Sequence, residues 1–231
     1  MKAKNIILPI FMMITVVIYS CNDKESPAPV QVAGLNYQYA PSNIGHEVVY
    51  DISLITKDEF SGEEDTANYQ LKEVIASTFT DIAGRPTQRI ERFTRADTAS
   101  PWIIADVWTA NLLTDRYEKN EENTPYVKLK FPIADGAEWN GNLYNSLAAQ
   151  TYTYTSTDDP SVVNGINFDS TLTVLQSDYE DLLEKSFSAE QYATGVGLIF
   201  KESIFIKKDF NNPGTIKAQT KYRQTIVSYS N

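Results

Sequence analysis

Short runs of β-branched and aromatic residues, separated by clusters of turn residues, fill the chain from Tyr37 to its end. The clearest run, residues 126–133, alternates apolar residues with lysines, which is the pattern of a strand with one buried face. It predicts that Lys128 and Lys130 face solvent and that three residues face the core: Val127, Leu129 and Phe131. A chain patterned in this way is expected to fold into sheet.

A β-hairpin is predicted around the turn cluster at residues 81–86. The runs on either side, residues 69–79 and 87–95, are rich in strand-forming residues. The alternation in the first run gives a predicted core set of Leu71, Val74 or Ile75, and Phe79. Two long strands joined by a tight turn are therefore expected here.

Helical composition occurs in one segment only, residues 178–193, where Asp178 could act as the N-cap. The same segment could also lead straight into a strand. No convincing crossover helix separates any two strands, so antiparallel connections are favoured. We predict a mainly β fold, a single antiparallel curved sheet or half-barrel of about nine to eleven strands with at most one short helix.

The N-terminus has the layout of a signal peptide. Lys2 and Lys4 precede an apolar run of 13 residues, Ile6 to Ile18, which is shorter than the roughly 20 residues that a membrane-spanning helix needs. The run ends in Ile18-Tyr19-Ser20-Cys21, which resembles a bacterial lipobox. The resemblance implies cleavage before Cys21 and a diacylglycerol on its thiol. The alternative is an ordinary secretory signal with an unmodified cysteine.

Three regions follow from this reading. Residues 1–20 are predicted to be a lipoprotein signal peptide, residues 21–36 an acylated cysteine and a flexible polar tether, and residues 37–231 a single β-rich domain. Asp23 and Glu25 resemble the signal that sends lipoproteins of the Bacteroidota to the cell surface. The predicted location is the cell envelope, at the surface or the periplasmic face of the outer membrane.

Charge and cysteine content restrict the possible partners. The net charge is −10, and the first 20 residues contain two lysines and no acid, so the mature chain is still more acidic. Binding to nucleic acid needs a basic face and is not expected. With one cysteine the chain has no internal disulfide. The expected contact with the membrane is through acyl chains on Cys21.

No motif in the sequence predicts catalysis, a metal or a cofactor. His46 is the single histidine and lacks a Gly-x-Ser-x-Gly elbow, so it is expected at the surface or in a hydrogen bond. One histidine and one lipidated cysteine do not make a zinc site. The acidic clusters at 63–65 and 158–159 are expected to be solvated loops. Gly195-x-Gly197 lies in a predicted β run without a following helix, which favours a bulge or a close backbone approach.

The three tryptophans are the candidate ligand-binding residues. Together with the 14 tyrosines, Trp102, Trp108 and Trp139 could form a stacking surface for sugars, although aromatic residues are also common in strands and cores. Trp139 lies beside a predicted turn and is expected to be the most exposed of the three.

Two segments, Phe131-Pro132-Ile133…Gly136…Trp139 and Tyr192-Ala193-x-Gly195-Val196-Gly197-Leu198-Ile199, resemble parts of lipoproteins with a LolA/LolB-like half-barrel. The resemblance implies a sheet wrapped around an apolar cavity that carries something lipid-like. The leading hypothesis is a membrane-anchored, non-enzymatic binding module for a hydrophobic ligand or a partner protein. The alternatives are an accessory lipoprotein of a surface assembly and a glycan-binding or glycan-active lipoprotein.

Overall fold

The computed structural model describes residues 36–230, which form one antiparallel sheet of twelve strands. A 3-10 turn, Tyr37–Tyr39, precedes the sheet. The strands are β1 Glu47–Lys57, β2 Glu64–Thr80, β3 Pro86–Arg95, β4 Ile103–Leu112, β5 Arg116–Glu121, β6 Thr124–Lys130, β7 Glu138–Asn140, β8 Thr151–Val163, β9 Ile166–Glu180, β10 Glu184–Ala193, β11 Gly197–Lys208 and β12 Ile216–Ser230. Cys21, the predicted signal peptide and nearly all of the tether lie outside the described residues.

The sheet curls into a nearly closed barrel. Strands that are consecutive in sequence are neighbours, except that β1 pairs with β12 and that β6 and β7 are the two edges. The edges meet at a seam, where the Tyr154 hydroxyl donates to the Lys130 carbonyl and accepts from the Lys130 amide, both at 2.9 Å. The Trp139 indole nitrogen also donates to the Val127 carbonyl at 2.8 Å. The antiparallel fold is confirmed.

Two details of the sheet depend on strand pairing. The strand count is twelve, one more than the upper end of the approximate range, because Glu138–Asn140, which the sequence suggests is a turn, pairs with β8. Segment 178–193, for which a short helix and a strand were both open, is the end of β9, a turn at 181–183 and β10. Asp181 stabilises that turn by accepting hydrogen bonds from the amides of Leu183 and Glu184. Pairing of β10 with strands on both sides overrides its local helical composition.

The predicted hairpin is confirmed, with a bulge that changes one of its faces. Leu71 and Ile75 are buried as predicted, but Phe79 is 42% exposed. Ile75 pairs with Ile90 and Ser77 pairs with Arg89, so Ala76 is an extra residue in β2. Because side chains alternate along a strand, one extra residue sends every later side chain to the opposite face. The bulge therefore turns Phe79 outward.

A second bulge moves Lys128 into the barrel. In the β5–β6 ladder, Glu118 pairs with Val127 and Tyr117 pairs with Leu129, which leaves Lys128 unmatched. Lys128 is buried together with the apolar residues on both sides of it. The prediction that Lys128 faces solvent is thus wrong, whereas Lys130 is exposed as predicted.

One end of the barrel is closed by the segment that leads into β1. We call it the closed end, and it also carries the turns at 81–85, 113–115, 164–165 and 194–196. Tyr37 and Tyr39 pack into the core there, and the Tyr37 hydroxyl donates to the Thr114 carbonyl at 2.8 Å. The Gln38 carbonyl accepts from the Gly195 amide at 2.8 Å. The opposite end, with turns at 58–63, 181–183 and 209–215, is called the open end.

Gly195 lies in the turn between β10 and β11 at the closed end, whereas Gly197 is the first residue of β11, so the predicted place inside a β run is wrong for Gly195 and confirmed for Gly197. Both have a positive φ, 73° and 85°. The predicted close approach is confirmed at Gly197, where an added Cβ would lie 3.0 Å from Pro41 Cδ. This contact packs the turn against the N-terminal segment.

Candidate functional site

Seven charged side chains from six strands converge inside the barrel. We call them the lumen cluster, and they are Glu73, Arg92, Lys119, Glu121, Lys128, Glu190 and Lys201. They face inward because they share a sheet face with buried residues such as Tyr50 and Ile90. A buried cluster of this kind is unusual, since charged residues are rarely buried unless they are paired.

One half of the lumen cluster is built on Glu73. Its two carboxylate oxygens bind different cations, Arg92 Nε at 3.0 Å and Lys119 Nζ at 2.8 Å. The Arg92 guanidinium also lies 3.4 Å from the centre of the Trp108 ring, a cation–π contact. Each carboxylate oxygen of Glu73 therefore has a cationic partner.

The other half joins two lysines to two glutamates. Lys128 Nζ lies 2.5 Å from Glu190 and 3.3 Å from Glu121. Lys201 Nζ lies 3.2 Å from Glu190 and 3.6 Å from Glu121. The second oxygen of Glu190 accepts from the Tyr192 hydroxyl at 2.6 Å. Lys128 is thus held more closely than Lys201.

These pairings keep the cluster ionised. Burial by itself raises the pKa of Glu190, but Lys128 and Lys201 outweigh burial and lower that pKa to about 2. Burial opposes ionisation of Glu121 in the same way, yet the same two lysines hold its pKa well below the usual range. Burial lowers the pKa of Lys201, while Glu121 and Glu190 raise it well above that of a free lysine. All three groups are charged at neutral pH.

Two clefts flank Lys201 inside the barrel. One has a volume of about 390 Å³ and is walled in part by Tyr69, Trp108 and Tyr222. The other has a volume of about 280 Å³, with Tyr126 and Tyr152 in its wall. Both are lined by Glu121, Lys201 and Ser203, so they meet at Lys201.

The space at the closed end and the two clefts around Lys201 differ from the expected apolar cavity. The space beside the N-terminal segment at the closed end amounts to about 60 Å³, and it is lined by apolar groups together with two lysines and three glutamates of the lumen cluster. Small-molecule sites are commonly about 300–1,000 Å³. The larger clefts carry charged walls. The half-barrel implied by resemblance is thus a barrel with a charged interior.

The three tryptophans do not share one surface. Trp102 lies against Lys72 and Arg95, with Lys72 Nζ 5.1 Å from its ring centre. Trp108 lines the larger cleft and donates to Asp106 at 2.7 Å. Trp139 packs on the core at the seam, 4.6 Å from Tyr154 between ring centres. All three are half-buried, and Trp108 is the one placed in a cleft.

The structure also locates the other residues that the sequence analysis considered, His46 and the acidic residues 158–159. His46 is buried at the closed end with Nε2 3.0 Å from the Val196 carbonyl, so the hydrogen-bonded alternative is confirmed. Asp158 and Asp159 lie within β8 and accept hydrogen bonds from Ser170 and Ser156. Across residues 36–230 no group of three or more histidine, cysteine or acidic residues is arranged to hold a metal. Within the same residues no helix has the length and apolar character needed to cross a membrane.

Sequence reasoning missed the lumen cluster because each member, taken alone, resembles a solvated strand residue. Lys128 lies in an alternating strand, and Glu190 and Lys201 lie in strands with mixed polar and apolar residues. The signal available in the sequence was weak: charged residues at single positions inside long runs of strand-forming residues. Only the pairing of six strands brings opposite charges together.

No protein-family model matches this sequence, and no curated protein matches it. Two solved structures are similar in fold. One is described as a putative exported protein with YmcC-like fold from Bacteroides fragilis, with 9% identity and a TM-score of 0.44. The other is described as a putative lipoprotein from Parabacteroides distasonis, with 10% identity and a TM-score of 0.41. Each alignment covers 83% of this chain and 98% of the other chain.

Proposed function

We propose that this chain is an envelope lipoprotein, anchored through acyl chains on Cys21, whose β domain is a non-enzymatic binding module. The observation that carries the binding role is a lumen that is closed at one end and has two clefts around a charged centre. The anchor is supported by the signal-peptide layout and by the lipobox-like Ile18-Tyr19-Ser20-Cys21. The outer membrane is the proposed location, and nucleic acid is not a proposed partner.

The position of the N-terminal segment supports an orientation. Tyr37 and Gln38 lie at the closed end, so the tether enters there. We therefore propose that the closed end faces the membrane and that the open end faces away from it.

The charged lumen favours a polar occupant over a hydrophobic one. An apolar ligand placed against Lys201 and Glu121 would exclude water from these groups without providing hydrogen bonds. Such desolvation is costly for charged groups, by several kcal/mol each in general. The hydrophobic-ligand form of the proposal is therefore confined to surfaces outside the lumen.

A partner protein is the second candidate, favoured by apolar side chains at the open end. Phe60, Leu182 and Phe210 lie on three successive hairpin turns of the sheet and are 96%, 66% and 76% exposed. Exposed apolar side chains gathered at one place often mark a protein contact. A surface assembly could be contacted through this rim.

The anchor is tested by labelling cells with palmitate analogues. The Cys21→Ala chain is expected to lose the label and to leave the membrane fraction, because it lacks the thiol that receives the lipid. Ser20→Ala is the matched control, since it keeps a small residue before the cysteine and should stay labelled. A Cys21→Ala chain that still carries label and still partitions with membranes would overturn the proposed anchor.

The binding role is tested separately by chemical cross-linking in cells. A Phe60→Ser/Phe210→Ser chain should lose a cross-linked partner if the open-end rim contacts a protein. Ile82→Ser, at an exposed turn of the closed end, is the control and should keep that partner. If the unmodified chain and both variants are cross-linked to the partner to the same extent, the open-end rim is not the contact.

A further inference from the structure

We infer that the two clefts beside Lys201 form one site for an oxygen-rich organic anion, a small molecule that carries a carboxylate. The inference rests on the proposed binding-module function and names the class of ligand that the lumen would take. It is carried by three observations: unpartnered donors on each side of Lys201, the incomplete pairing of Lys201 itself, and the aromatic walls of the clefts.

Two buried glutamines have side-chain nitrogens without a partner in the described part of the chain. Gln224 lines the larger cleft, and its Oε1 accepts from the Tyr222 hydroxyl at 2.8 Å while its Nε2 is unpartnered. Gln176 lines the smaller cleft, and its Oε1 accepts from the Ser188 hydroxyl at 2.8 Å while its Nε2 is unpartnered. The two side chains are 3% and 7% exposed.

These two nitrogens differ from the other buried polar atoms that lack a partner. Among residues 36–230 the others are three oxygens, on Gln88, Asn120 and Gln219, and none of these residues lines either cleft. Buried polar groups are normally hydrogen-bonded, so an unsatisfied one needs a partner from outside the chain, either a ligand or an ordered water. Amide nitrogens donate hydrogen bonds, and therefore the missing partner presents acceptor oxygens.

Lys201 provides the charge between the two donors. The Lys201 side chain is 22% exposed, against 5% for that of Lys128, and the carboxylate oxygens nearest to Lys201 Nζ lie at 3.2 and 3.6 Å. Glu190 is already held by Lys128 at 2.5 Å and by the Tyr192 hydroxyl at 2.6 Å. Lys201 therefore has hydrogen-bonding capacity left for a ligand, and a carboxylate suits it best.

The walls of the clefts define the rest of the ligand. Trp108 and Tyr222 line the larger cleft, and Glu121, Ser203 and Lys201 lie where the two clefts meet. Aromatic faces pack against the apolar face of a ring, and hydroxyl and amide groups pair with its oxygens. A sugar acid or a hydroxylated dicarboxylate has this combination of groups.

Binding is tested by calorimetric titration of the full chain, purified in detergent, with D-glucuronate, D-glucose and succinate. Glucuronate and glucose differ at one carbon, a carboxylate against a hydroxymethyl group, so their ratio measures recognition of the anion. We expect glucuronate to bind at least about tenfold more tightly than glucose, because a single charge-assisted hydrogen bond to the carboxylate is enough for that difference in affinity. Succinate carries carboxylates without hydroxyls, and its affinity separates a site for simple dicarboxylates from one for sugar acids.

Three variants connect binding to the residues. Lys201→Met should weaken binding of the better anion by about tenfold to a hundredfold. Gln224→Met should weaken it by about tenfold, and its thermal stability is measured alongside, because the substitution also removes the Oε1 that accepts from the Tyr222 hydroxyl. Lys207→Met is the control on the same strand, since Lys207 pairs with Glu59 at 2.7 Å at the open end. It should bind as the unmodified chain does.

The inference is overturned if glucose binds as tightly as both anions, if neither anion binds, or if Gln224→Met and Lys201→Met bind like the control. If Lys201→Met does not fold, the comparison of Gln224→Met with the Lys207→Met control decides whether the inference holds. Failure of the proposed anchor shows instead in the palmitate label on Cys21, which does not depend on the lumen. The two failures are therefore distinguishable.

Discussion

Replacing Lys128 with methionine should destabilise the barrel strongly. The substitution keeps the length of the side chain and removes the cation nearest to Glu190, a side chain that is 1% exposed. Breaking a buried ion pair by removing one partner generally costs about 3–5 kcal/mol, since it leaves an uncompensated buried charge.

The expected loss lies at the lower end of that range. Glu190 keeps Lys201 at 3.2 Å and the Tyr192 hydroxyl at 2.6 Å, so it is only partly uncompensated. We expect the free energy of unfolding to fall by about 3 kcal/mol, a large share of the roughly 5–15 kcal/mol of a typical domain. Urea unfolding followed by tryptophan fluorescence at pH 7 measures this change.

The loss of stability caused by Lys128→Met should be smaller at acid pH. The folded-state pKa of Glu190 is about 2, against an ordinary value of 4.5, so its stabilising contribution is complete above pH 4.5 and falls as the pH drops toward 2. Removing Lys128 raises the folded-state pKa of Glu190, so the variant loses less stability in acid than the unmodified chain. The free energy of unfolding changes by about 1.4 kcal/mol per pH unit for one such proton. The difference in free energy of unfolding between the unmodified and Lys128→Met chains should therefore be about 2 kcal/mol smaller at pH 3 than at pH 7.

Lys130→Met is the matched control for this measurement. Lys130 lies on the same strand, is exposed, and donates to the Glu138 carbonyl at 3.0 Å. Its replacement should change stability by about 0.5 kcal/mol or less, as is usual for surface positions. Equal effects of the two substitutions, or a Lys128→Met loss that does not depend on pH, would refute the buried ion-pair explanation.

Two further predictions concern the closed end and the seam. Gly197→Ala should lower the melting temperature more than Gly195→Ala. Both positions have a positive φ, but only the methyl group added at Gly197 would press on Pro41, with Cβ 3.0 Å from Pro41 Cδ. Equal melting temperatures of the two variants in calorimetry would contradict the close packing. Tyr154→Phe should cost about 1–3 kcal/mol in urea unfolding, because it leaves the amide and carbonyl of Lys130 without their seam partner. A stability equal to that of the unmodified chain would show that the hydroxyl does not close the seam.

The sheet was predictable because its signals are local. Turn residues at 81–86 separate two strand-forming runs, and the hairpin appears where this pattern places it. The seam was not predictable, since it depends on Tyr154 reaching a strand 24 residues away in sequence. Composition left segment 178–193 open between a short helix and a strand, and strand pairing on both sides of β10 decides for the strand.

Bulges explain the errors in burial. Alternation places Phe79 inside and Lys128 outside, and the structure reverses both. An extra residue in a strand has no local mark in the sequence, because it depends on the register with the partner strand. Each reversal follows from one unmatched residue, Ala76 in β2 and Lys128 itself in β6.

The sequence by itself determined the class of fold and the antiparallel connections between strands, because periodicity and turn chemistry are properties of neighbouring residues. The tertiary structure alone decided which charges meet inside the barrel. Lys128, Glu190 and Lys201 lie on three different strands, and closing the barrel puts each beside an opposite charge. The candidate site follows from that closure, since charge pairing across strands is a property of the whole sheet.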